Sequence, residues 1–194
     1  MILASMTVLR GRDVVFQPSS YPYPATNANI VTHLFLQSGK DEMVFIDTDV
    51  VFRAWQLQEL LSRDELFVNG AVPMKKLGLE FGIVPLDGHS IEAVMTPSKA
   101  LKEVKVVNRG FTKIHRDVFT ALDNHPDVIE FTLEGIDGVI REYWKGKDGG
   151  HSDDFTFCDR YRRVGGKVYL DNRLLLEHEG NIRYPVKGSW TEQW

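Results

Sequence analysis

An α/β fold, with a mostly parallel central sheet flanked by helices on both faces, is predicted by three features of the 194-residue sequence. Short apolar runs alternate with segments of helical periodicity, the pattern of strand–helix–strand units. Some of those runs, such as "MVFI" at 43–46, are apolar without interruption, as strands buried on both faces are. Hydrophobic residues make up 43% of the chain and charged residues 26%, enough apolar material for one sizeable core.

Taken in order, Asp13, Val14, Val15 and Phe16 read as a strand. The loop "QPSSYPYPATN" follows, where Pro18, Pro22 and Pro24 argue against regular structure. Over 27–37, Ile30, Val31 and Leu34 share one helical face. A strand is predicted at 43–46, a short helix at 54–62, and strands at 65–72 and 104–107. A helix over 116–122 ends at Asp123-Asn124-His125-Pro126. Near the tail, Ser152 caps a helix that Gly165-Gly166 terminates, with Asp153 and Asp154 placed at the positive end of its dipole. "KVYL" is a further strand, and "RLLLEHEG" is an apolar run ending at His178. No repeat or linker divides the chain, so 1–194 reads as one domain.

Composition excludes some function classes. The net charge of -4 and the scattered Lys and Arg leave no phosphate-neutralising face, so no nucleic-acid partner is expected. One cysteine, Cys158, cannot form an internal disulfide, and neither a secretory signal nor a transmembrane segment is present. A soluble, reducing, cytoplasmic setting fits these features.

The candidate chemistry lies where apolar runs end in polar residues. In "MVFIDTDVVF", Asp47 and Asp49 follow a strand, at the sheet edge where α/β proteins gather ligands. If the extended conformation persists through Thr48, both carboxylates point the same way. Two such carboxylates repel unless a hard divalent cation such as Mg2+ or Mn2+ joins them. The alternative is a surface turn, where Asp is common. Asp154, Phe157, Cys158 and Tyr161 fall at helical spacing, which puts Asp154 on the inward stripe. An inward acid suits a base or a hydroxyl contact, although the helix dipole favours its ionised form and weakens it as a base. Asp153 reads as a helix-terminal charge. His178 ends its run as the aspartates end theirs, and an imidazole beside carboxylates moves the preference towards Mn2+.

In this order the motifs resemble the nucleotide-sugar-dependent glycosyltransferases of the GT-A fold, including virus-encoded members from large algal viruses. The matching segments are "MVFIDTDVVF", "FVNGAVPMKK", "VKVVNRGFTKIHRDVF" and "SDDFTFCDRYRRVGGKVYLD" with its late "LLLEHEG". The resemblance implies a GT-A fold with Asp47, Asp49 and His178 on Mn2+ or Mg2+, and Asp47 also touching the donor. It implies Asp154 as the acid facing the donor sugar or the acceptor. Gly110 would allow close approach of the sugar, and Asn29 would lie near the donor. Lys75, Lys76 and Arg109 would contact phosphate or sugar, against the alternative of solvated basic side chains. The implied substrates are a UDP-sugar donor and a glycan or other hydroxyl acceptor.

D-x-D arrives early for this family, so either the front of the fold is abbreviated or the chain is part of a longer one carrying other domains. "MILASMTVLRG" reads as the helix after a missing strand, and Phe16, Tyr21 and Tyr23 are candidate stacking surfaces for the base. Two rival readings use the same residues. A haloacid-dehalogenase-like phosphatase also has D-x-D after an apolar strand, but its later acid pair should follow a strand, and here it follows "KGKDGGH". The other rival is a non-catalytic nucleotide-sugar binding module.

Overall fold

The computed structural model describes residues 13–15, 17–19, 21–76, 80–146, 152–180 and 183–184. The helix expected within 1–12 and the side chain of Phe16 lie outside these residues. The chain is a mixed α/β fold. The first helix, α1 (Pro24–Gln37), begins inside the loop expected to be irregular. Pro24 occupies its first turn, where a missing N–H costs nothing and the fixed φ suits the helix. Residues 13–15 are exposed and form no strand, because no neighbouring backbone is there to pair with them among the described residues.

The remaining elements follow as β1 (Glu42–Ile46), β2 (Val50–Val51), α2 (Ala54–Leu61), β3 (Phe67–Ala71), β4 (Val84–Pro85) and α3 (Ile91–Met95). Then come β5 (Lys102–Val106), β6 (Phe111–His115), α4 (Arg116–Leu122), β7 (Glu130–Phe131) and β8 (Ile140–Arg141). The last are α5 (Asp153–Arg163), β9 (Val168–Leu175), β10 (Glu177–Glu179) and β11 (Arg183–Tyr184). Helix α5 has the ends the sequence predicts. The Ser152 hydroxyl accepts from the Phe155 N–H at 3.2 Å, and Gly165 turns the chain at φ +87° so that Gly166 N–H donates to the Tyr161 carbonyl at 3.0 Å.

The expectation of a mostly parallel sheet is corrected. The main sheet has the order β1-β6-β3-β9-β5-β4, and only β3 and β9 pair in parallel. The physical reason lies in the topology. Crossing from β1 through α2 to β3 does leave those two strands pointing the same way, but β6 enters between them and pairs antiparallel with both. Strand–helix alternation therefore fixed the direction of successive strands and said nothing about which strand lies beside which. The carboxyl ends of β1, β3 and β9 still share one edge.

Helices cover both faces, as expected. Phe67 and Val68 are successive on β3 and point to opposite sides. Phe67 joins Phe35, Phe119, Phe157 and Leu170 in one core with α1, α4 and α5, whereas Val68 joins Phe111, Leu174 and the α2 residues Leu57 and Leu60 in the other. None of the described helices is long and apolar enough to cross a membrane.

Candidate functional site

Strand β1 delivers its aspartates to the shared edge, but not side by side. Asp47 N–H donates to the Gly110 carbonyl at 3.0 Å, and the chain then turns at Thr48-Asp49, with Val50 N–H donating to the Asp47 carbonyl at 3.0 Å. The extended conformation stops at Asp47, so the period of two does not carry to Asp49. The turn reading of D-x-D is realised at Thr48-Asp49. The Asp47 carboxylate lies over Gly110, where a Cβ would come within 3.2 Å of Oδ2. Gly110 thus makes room for a carboxylate of this chain, where the resemblance expected room for a sugar. Gly110→Ala should push that carboxylate aside, for a stability cost of about 1 kcal/mol. A thermal melt checks it.

His178 reaches Asp49 through a second, smaller sheet. Strand β10 pairs with β2, setting His178 opposite Val50, and Glu179 N–H donates to the Asp49 carbonyl at 2.7 Å. The imidazole Nδ1 lies 2.8 Å from the Pro73 carbonyl, an acceptor, so Nδ1 carries the proton. Nε2 lies 3.2 Å from Asp49 Oδ1, within ion-pair distance. A backbone carbonyl on one ring nitrogen fixes the orientation of the imidazole, as it does for histidines that bind metals through the other. Two donor atoms at that spacing suit adjacent positions on one cation. Asp49 Oδ2 also accepts from Lys75 Nζ at 2.5 Å.

Asp47 does not join this pair as a third close ligand. Among the described residues no three of His, Cys, Asp and Glu converge as a metal-binding group. The three-ligand set expected from the sequence is not assembled: Asp49 and His178 lie together, and the chain turns after Asp47 so that it is not a third close member. Burial pushes the Asp47 carboxyl above its ordinary range against the opposing charge of Arg109, with Asp49 adding to the rise. Burial also pushes Asp49 upward, but the Lys75 hydrogen bond and the charge of His178 outweigh it, and its pKa ends below the ordinary range.

Arg109 is the hub of the acidic cluster. Its Nη1 lies 2.7 Å from Asp153 Oδ2 and 3.4 Å from Asp154 Oδ1. Its guanidinium carbon sits 5.1 Å from the Trp144 ring centroid and 5.6 Å from that of Phe45. Trp144 in turn stacks on Phe157 at 3.8 Å. Desolvation alone would lower the Arg109 pKa, but Asp154, Asp153 and Asp47 together raise it. Asp154 Oδ1 is buried without a hydrogen-bond partner. Burial lifts the Asp154 carboxyl to about 6 in spite of Arg109, with Asp153 and Asp47 adding to the rise. The expected weakening by the helix dipole is thus overridden by desolvation.

The other expected contacts fall away from this centre. Asn29 is buried, and its amide is committed at both ends to the Trp144 backbone, donating to O and accepting from N–H at 2.9 Å each. It fixes the segment carrying Trp144. Lys76 pairs with Glu80 at 3.1 Å on the surface. Tyr21 and Tyr23 are exposed, with ring centroids 6.1 Å apart. A cavity of about 450 Å³ elsewhere, lined by His33, Arg116, Asp123 and Arg141 among others, includes none of the acidic centre. Sequence reasoning missed the Trp144 and Phe45 walls around Arg109 and the Pro73 carbonyl that orients His178. All three are set by strand neighbours distant in sequence, for which no local spacing is a signal.

No protein-family model matches the chain, and no curated protein matches it. Among solved structures, the chain is similar to the crystal structure of A197 from STIV, with 17% sequence identity and a TM-score of 0.55. The alignment covers 92% of this chain and 79% of that one. At that identity the likeness is one of fold.

Proposed function

We propose that this chain is a metal-dependent glycosyltransferase of the GT-A kind, moving a sugar from a nucleotide-diphosphate donor, expected to be a UDP-sugar, to a hydroxyl acceptor. One observation carries the reading. His178 Nε2 and Asp49 Oδ1 lie 3.2 Å apart at the edge that also holds Asp47, Arg109 and Asp154. Side chains from the middle and the tail of the sequence thus meet where sheet proteins place their ligands.

The donor set is chemically suited to Mn2+ or Mg2+, with an imidazole nitrogen favouring Mn2+. Two protein donors leave coordination positions for water and for diphosphate oxygens. Asp49 and His178 would hold such a cation, which would supply charge neutralisation for a leaving diphosphate. Asp47, at the same edge, would face the donor. Arg109 is engaged with Asp153 and Asp154, and positions them. Asp154 turns Oδ1 towards Arg109 and keeps its side chain 21% exposed, so its carboxylate is suited to accept a hydrogen bond from a sugar or acceptor hydroxyl and to take its proton.

Asp153 and Asp154 open a helix and in the sequence follow "KGKDGGH" rather than an apolar run, which disfavours the phosphatase alternative. An assay with Mn2+ separates the readings. Slow release of UDP from a UDP-sugar is the expected result. Release of inorganic phosphate from a phosphomonoester would point to the phosphatase, and donor binding without turnover would leave a binding module.

A further inference from the structure

The segment after β3 touches both members of the Asp49–His178 pair. Pro73 bridges antiparallel to Phe81, and Met74 N–H donates to the Glu80 carbonyl at 2.7 Å, so the two described sides of the segment over 73–81 pair as a hairpin. At its base the Pro73 carbonyl holds His178 Nδ1 at 2.8 Å. Two residues further on, Lys75 Nζ reaches Asp49 Oδ2 at 2.5 Å. Asp49 therefore meets an imidazole nitrogen through one oxygen and an ammonium through the other.

That ammonium stands beside the position a divalent ion would take. An ion held by Asp49 and His178 Nε2 brings two positive charges close to Lys75 and draws on the same carboxylate lone pairs. Lys75 and Asp49 are 39% and 40% exposed, so the lysine can swing into solvent at little cost. The arm that carries it remains anchored through Pro73, which keeps the freed ammonium close to the ion.

We propose that Lys75 is the resident counter-ion of the Asp49–His178 pair. A divalent cation must displace it, and the released ammonium then meets a phosphate oxygen of the nucleotide that the ion holds. This rests on the metal-dependent reading above. Its signature is a pair of effects of opposite sign. Removing the ammonium strengthens binding of the metal alone and weakens binding of a nucleoside diphosphate in the presence of metal. A lysine that is only a solvated side chain moves neither affinity, and one that only contacts phosphate moves the second alone.

The experiment measures Mn2+ binding without nucleotide, from the electron paramagnetic resonance signal of the free ion, for the native chain, Lys75→Met, Lys75→Arg and Asp49→Ala. UDP is then titrated calorimetrically at saturating Mn2+. Lys75→Met should bind Mn2+ roughly tenfold more tightly, the scale of a lost charge-assisted contact, and UDP roughly tenfold more weakly. Lys75→Arg keeps the charge and should stay near the native chain in both. A Mn2+ affinity in Lys75→Met equal to or below the native value overturns the proposal, and an unchanged UDP affinity overturns the handover to phosphate. If Asp49→Ala still abolishes Mn2+ binding in that case, the metal site survives and only the role of Lys75 fails. Absence of Mn2+ binding in both the native chain and Lys75→Met brings down the proposal together with the reading it rests on.

Discussion

Asp49→Ala should abolish metal-dependent binding of a UDP-sugar while leaving the chain folded. On the proposed reading Asp49 supplies one of two donor atoms that lie 3.2 Å apart, and among the described residues no third His, Cys, Asp or Glu converges there to replace it. Loss of even an outer partner of a metal ligand costs ten- to a hundredfold in affinity, so loss of a ligand should cost roughly a hundredfold or more. Stability should move little. The Asp49 side chain is 40% exposed, its pairing with Lys75 is a solvent-screened surface contact, and the backbone bond from Glu179 N–H to the Asp49 carbonyl survives the substitution. A titration of donor against Mn2+ concentration, paired with a thermal melt, reads both quantities. His178→Ala should lower the preference for Mn2+ over Mg2+ in the same titration, since it leaves only oxygen donors. A native-like Mn2+ dependence in Asp49→Ala would remove the cation from this edge of the sheet.

What could be read in advance from the sequence follows the range of the interaction concerned. Helix α5 was legible at both ends because its signals are local: a Ser152 hydroxyl over the first turn, a left-handed Gly165 after the last. The end of β1 at Ile46, just before Asp47, was also legible from the apolar run, whereas His178 lies inside β10 of the smaller sheet, which the run ending there did not announce. Strand order was not. The insertion of β6 between β1 and β3 depends on which backbones pair across the whole chain, and hydrophobic periodicity is the same for either arrangement. Pro24 was misread for a similar reason. A proline forbids a helix interior but favours a helix start, and only the path of the chain decides which position it holds. Asn29 was expected near the donor on the family resemblance alone. Its partners on Trp144 are far along the chain and could not be anticipated. The aspartates of D-x-D were found by type and place, while their divergence came from a single turn at Thr48.

Asp154→Asn should cost turnover roughly a hundred- to ten-thousandfold, the usual worth of a positioned proton acceptor, and leave Mn2+ and UDP-sugar binding near native. The same substitution should stabilise the fold at neutral pH, which separates lost chemistry from lost structure. The sign follows from the direction of the shift. Burial raises the Asp154 carboxyl from 3.8 to about 6, so the folded chain holds a proton that the unfolded chain has already released between those values. Stability from this group is greatest below pH 3.8, declines as pH rises towards 6, and carries a constant penalty above that. Asparagine cannot ionise and escapes the penalty, which offsets the lost contact with Arg109. A gain on the order of 1–2 kcal/mol is expected at pH 8, vanishing near pH 4. On the proposed function the native chain should show the catalytic counterpart: turnover climbing about tenfold per pH unit up to about 6, then levelling as the carboxylate becomes fully available. The low-pH limb should be absent from the residual activity of Asp154→Asn. Melting temperatures and single-turnover rates across pH 4–9 test both halves. An Asn variant that turns over normally, or one whose rate falls only in step with its melting temperature, would take Asp154 out of the reaction.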